Sequence, residues 1–110
     1  MARSFPESIR SVDITGNLSP FLFNDQPVFV KMPNEDSRFV LVFTTEDKLR
    51  ESMKFVLPPR TEYKIKYVDD GVEFCESIWE QGYRVMRDPY IVDGCKTHWT
   101  EIMPPDAQMN

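Results

Sequence analysis

Cys95-Lys96-Thr97-His98 is the stretch whose residue types and spacing come nearest to reactive or metal-binding chemistry. Thiolate and imidazole are zinc ligands, and a closed site needs four of them. Cys75 is the only other thiol and His98 the only histidine, so Asp93 or Asp88 would have to complete the set. The spacing argues against such a site, because strand residues three apart point to opposite faces. Asp69, Asp70, Asp88 and Asp93 could instead gather around a hard cation such as magnesium. Each stands at a predicted strand or helix end, where aspartate serves turns and caps. No phosphate-cradling glycine loop accompanies them, and the chain has four glycines in all. Cys75 falls on the apolar stripe of a predicted helix. Glu73 and Glu76 flank it and oppose thiolate formation, so it reads as a packing residue. These residues assign no catalytic centre, no metal site and no cofactor, and they point away from an enzyme. The alternative they leave is a small metal-dependent or thiol enzyme built on Cys95, His98 and the turn aspartates. A further one is a regulatory domain holding a small ligand near Trp79, Tyr83, Tyr90 and Trp99.

The elements that must position these residues follow from local pattern. Pro27 opens a strand over Val28–Met32, and Pro33 to Ser37 is a turn cluster leading to a second strand, Arg38–Phe43. Phe39 to Phe43 is apolar without a break, the mark of a strand covered on both faces. Thr44 and Thr45 supply cap hydroxyls, and Glu46 and Asp47 put negative charge on the first turn of a helix to Val56. Leu49, Met53 and Val56 form its inner stripe, and Pro58-Pro59 ends it. Glu62–Val68 alternates strictly, with Tyr63, Ile65 and Tyr67 on one side and Glu62, Lys64 and Lys66 on the other. Asp70, paired in spacing with Glu73, caps a second helix over Gly71–Gln81, which Gly82 terminates. Tyr83–Arg87 is a short strand broken by Asp88-Pro89, and Tyr90–Val92 continues it or stands alone. Asp93-Gly94 is a turn, and Cys95–Ile102 is the last strand. Residues 1–25 read as a weakly patterned arm and 103–110 as a frayed tail.

The resulting order is β-β-α-β-α-β-β, an α+β fold. It predicts a mixed five-stranded sheet with Glu62–Val68 in its middle and the helices mainly on one face. The expected core is Phe39, Leu41, Phe43, Leu49, Met53, Ile65, Phe74, Ile78 and Trp79. The uncovered sheet face would carry Lys64 and Lys66 beside Phe29, Lys31, Val40 and Val42. Apolar residues rimmed by lysine stems make a contact surface, so these six are the candidate interface of a non-catalytic interaction module, for a protein partner or a second copy of the chain, and a homo-oligomer built through this open face is expected.

At 110 residues the chain suits one domain over 1–110 with one core. A net charge of −5 disfavours a phosphate backbone, so no nucleic acid is expected. No apolar run approaches the length of a membrane span, and MARSFPESIRSVDITG has no apolar signal core, so no membrane and no secretion are expected. Two distant cysteines fit a reducing compartment such as the cytoplasm.

The layout resembles the N-terminal domain of SseB-like proteins, the type III secretion enhancer family. The likeness is carried by Pro27–Met32, by Phe39–Leu49 (FVLVFTTEDKL) and by Gly82–Pro89 (GYRVMRDP). It departs after Asp88, where this chain adds an aspartate-glycine turn and a closing strand. The resemblance implies an interaction or accessory role and brings no catalytic residues with it.

Overall fold

Strand β4 (Arg38–Val42) organises the molecule because both of its faces are apolar. In the computed structural model, which describes residues 8–32, 35–92 and 96–104, Phe39, Val40, Leu41 and Val42 are all fully buried. A strand of this kind needs cover above and below. Phe39 and Leu41 point to helix α1 (Glu46–Val56), where Leu49 and Met53 meet them. Val40 and Val42 point the other way, to helix α2 (Gly71–Glu80), where Cys75 and Ile78 meet them. The fold is α+β, with a mixed five-stranded sheet and two helices, as the sequence predicts. The helices, however, lie on opposite faces of the sheet and not mainly on one.

The cause is the strand β5 (Lys64–Tyr67), which does not enter the main sheet. It pairs antiparallel with β2 (Leu18–Phe21) in a separate two-stranded sheet. The main sheet has the order β1-β7-β6-β4-β3, adding β1 (Ser8–Arg10), β3 (Phe29–Lys31), β6 (Arg84–Val92) and β7 (Lys96–Met103). Strands β4 and β6 are parallel neighbours, so α1, β5 and α2 together form one long connection between them. β5 carries the chain across. Tyr63 and Ile65 belong to the cluster under α1, whereas Val68 belongs to the cluster under α2. The strict alternation of Glu62–Val68 therefore reports a small second sheet, not a central strand.

Residues 8–25, which carry little pattern, hold β1, a 3-10 helix (Ser11–Ile14) and β2. β1 runs parallel to β7 at one sheet edge. β2 joins the end of β4 through paired backbone bonds between Leu18 and Phe43 (2.9 and 2.7 Å), and the Ser19 hydroxyl donates to the Leu41 carbonyl at 2.7 Å. The 3-10 helix packs against the start of α2, and the Thr15 hydroxyl accepts from the Gly71 N–H at 2.9 Å. The helix starts are as local rules predict. The Thr45 hydroxyl accepts from the Lys48 N–H, and the Asp70 carboxylate accepts from the N–H groups of Val72 and Glu73. Asp88-Pro89 does not end its strand. β6 runs through it by a bulge between Arg87 and Tyr90, with Asp88 at φ 50°. The predicted turn at Asp93-Gly94 lies outside the described residues.

Candidate functional site

Helix α1 covers the sheet incompletely. Leu49 and Met53 are buried beneath it, while Phe55, on the next turn, is 70% exposed. Beside it lies a groove of about 500 Å³. Its floor is Leu41 of β4 with Val30 and Met32 from the β3 segment, and its wall is Ser52, Phe55 and Val56 of α1. One end is held rigidly by the β6 bulge. Asp88 accepts from the Thr44 N–H (3.0 Å), the Thr44 hydroxyl (2.8 Å) and the Lys48 ammonium (3.4 Å). The Ser52 hydroxyl donates to the Pro89 carbonyl at 3.0 Å. The bulge thus joins the middle of β6 to the first two turns of α1 and shapes that end of the groove.

The rim of this groove is charged and its interior apolar. Asp47, Glu51 and Asp88 line it against a single cation, Lys48, which Asp88 already engages. Glu51 has Lys54 at 3.5 Å, an exposed helical pair of the kind that contributes little. A mostly apolar pocket with a few polar groups at its edge is the usual form of a binding site.

The six residues expected to form an interface do not meet on one surface. Val40 and Val42 are sealed under α2. Phe29 is half-buried, its ring 4.6 Å from that of Tyr83, and Lys31 is exposed at the end of β3. Lys64 and Lys66 stand on the separate sheet. Both reach Asp25 (2.5 and 3.5 Å), and Lys66 also lies 4.4 Å over the Phe21 ring. The Lys64 hydrogen bond and charge, with Lys66 behind them, hold the Asp25 carboxyl below its ordinary 3.8. The open sheet face that would have united these residues is absent because α2 occupies it.

The reactive candidates are dispersed as well. Cys75 is buried, and burial pushes its thiol up to about 12, so it offers no thiolate near neutral pH. Asp70 caps α2 and Asp88 pins the bulge, and among the described residues no three His, Cys, Asp or Glu side chains cluster as a metal would require. Cys95 and Asp93 lie outside the described residues. Of His98 only the backbone pairing with Tyr90 is described. Of the four aromatic residues offered for a small ligand, the three whose side chains are described are split between faces. Trp79 and Tyr83 pack on the α2 side, and Trp99 packs on the α1 side, 6.1 Å from Phe39.

Arg84 makes a second polar cluster. It donates to both carboxylate oxygens of Glu101 (2.7 and 2.5 Å) and to Glu35, and its guanidinium stacks 4.5 Å over the Phe39 ring. The paired carboxylates hold its pKa above the ordinary arginine value. Each of its three guanidinium nitrogens donates within the fold, so this cluster reads as a tie between β6, β7 and the segment after β3.

Sequence reasoning missed Val30, Met32, Phe55 and Pro89. Phe55 carried the one available signal, since an aromatic beside Lys54 falls off the Leu49–Met53–Val56 stripe. The groove's other members need the sheet order to be brought together. No family model matches this chain, and no curated protein or solved structure does either.

Proposed function

We propose that this chain is a non-catalytic protein-interaction or accessory module, and that the groove beside α1 receives an apolar segment of a partner protein. The observation that carries this reading is Phe55, a large aromatic left exposed at the lip of an apolar groove of about 500 Å³. Exposed aromatics next to a pre-formed pocket are the usual anchors of protein recognition. The likeness of Pro27–Met32, Phe39–Leu49 and Gly82–Pro89 to SseB-like domains points to the same accessory class. A partner other than a second copy is favoured by charge, because two chains of net charge −5 repel. No helix among the described residues is long and apolar enough to cross a membrane. A reducing compartment such as the cytoplasm would suit the free thiol of Cys75.

Panning a random peptide library against the immobilised chain tests the reading. Peptides rich in apolar residues are expected to be enriched and to lose about tenfold in affinity on Phe55→Glu, or ~1.4 kcal/mol. Phe55 is exposed, so this variant should melt at the wild-type temperature. No enrichment over an unrelated acidic protein, or indifference to Phe55→Glu, would overturn it.

A further inference from the structure

We infer that the bound segment is taken as an added β-strand along the outer edge of β3, with a basic residue facing the acidic rim of the groove. This rests on the groove reading above and commits to how the groove is used. β3 is the last strand of the main sheet. It pairs with β4 on one side and has no strand partner on the other among the described residues. An edge strand presents a row of unpaired N–H and C=O groups, and extended peptides recognise such rows. The free template is short. Phe29 and Lys31 direct their N–H and C=O groups to β4, the Val28 N–H already donates to Pro20, and the Met32 carbonyl already accepts from Glu35, so the template centres on Val30.

The groove lies against this same strand. Val30 of β3 belongs to its floor and faces α1, as Phe39 opposite it does. Side chains of an added strand alternate, so every second one would project onto the face that carries Val30 and meet Phe55 and Val56. Backbone pairing on β3 would give affinity, and the groove would select apolar residues at alternate positions. A helix, a cylinder ~10–12 Å across, would use none of the β3 edge.

Charge chooses among extended peptides. Asp47 and Glu51 are one helical turn apart on the exposed side of α1, at the groove's rim, and Lys48 is already engaged by Asp88. A lysine or arginine flanking the apolar residues complements that rim, whereas an acidic flank is repelled. The partner is therefore a short strand-forming segment of alternating apolar residues with basic ends.

Isothermal titration with three synthetic peptides distinguishes the possibilities. The first is Lys-Thr-Val-Thr-Val-Thr-Lys, whose valines and lysines share one face, the second its fully N-methylated analogue, and the third its analogue with glutamate for lysine. The first is expected to bind and to slow amide exchange at Val30, whose N–H faces the outer edge. The other two should bind at least tenfold more weakly. If the N-methylated peptide binds equally well and still responds to Phe55→Glu, strand addition is wrong and the groove reading survives. If the glutamate peptide binds as tightly as the first, the charge assignment is wrong. If the first fails to bind at about 1 mM while library peptides sensitive to Phe55→Glu exist, the inference falls alone. If it binds but ignores Phe55→Glu, both readings fall.

Discussion

Replacing Gly71 by alanine should destabilise the protein, although helix propensity alone says the reverse. Gly71 begins α2, and alanine in a helix is favoured over glycine by up to ~1 kcal/mol. The tertiary surroundings forbid the gain. A Cβ on Gly71 would sit 2.1 Å from the backbone oxygen of Ser11, 3.0 Å from the Ile14 side chain and 3.1 Å from the Thr15 nitrogen. A carbon and a carbonyl oxygen rest no closer than ~3.3 Å, so α2 or the 3-10 helix must move by about 1 Å. Neither is loose. Ile14 is fully buried and the Gly71 N–H is bonded to Thr15. Overpacking costs ~1–3 kcal/mol, and weakening that hydrogen bond adds ~1 kcal/mol. Set against the propensity gain, the net loss is about 2 kcal/mol, which lowers the melting temperature by roughly 8–12 °C in a domain near this size. Circular-dichroism melts and urea titration with an unchanged slope would measure it. Gly82→Ala is the control. There the φ of 87° strains any side chain, but nothing lies within 4 Å, so a loss of ~1 kcal/mol is expected. A Gly71→Ala melting point equal to wild type or above it would refute the packing of α2 on the 3-10 helix.

Two further outcomes are accessible in solution. The Asp25 carboxyl should titrate below 3.8 by NMR and return toward that value when Lys64 and Lys66 are both changed to alanine. Because the folded pKa is the lower one, the pairing stabilises the fold above the ordinary aspartate range, and its contribution disappears as pH falls through the depressed value. An unchanged titration in the double variant would show that the lysines do not reach Asp25. In a Cys95→Ser variant, Cys75 should resist a disulfide reagent at pH ~8 and react only in denaturant, in keeping with a thiol whose pKa is about 12. Rapid labelling of the native variant would contradict its burial under the sheet.

Much of the local architecture was legible because its causes lie within three or four residues. Thr45 with Glu46 and Asp47, and Asp70 ahead of Val72 and Glu73, place the two helix starts where they are observed. The inner stripe of Leu49 and Met53 and the buried positions Phe39, Leu41, Phe43 and Ile78 agree with the expected core, while Ile65, Phe74 and Trp79 are only half-buried. The unbroken apolar run at Phe39 to Phe43 also carried the signal for cover on both faces. The alternation of Glu62–Val68 outweighed it and led to the wrong sheet. Alternation shows that a strand has one buried side, and it is silent on which strand lies next to it.

That silence sets the boundary. Helix starts and the α+β class follow from neighbours along the chain, through caps, prolines and hydrophobic period, and these needed no folded structure to read. The partner of β5, the separation of α1 and α2 to opposite faces, and the meeting of Phe55 with Val30 and Met32 follow from contacts between residues distant in the chain. Such contacts arise only when the sheet has chosen its order, so the groove came into view with the fold and not before it.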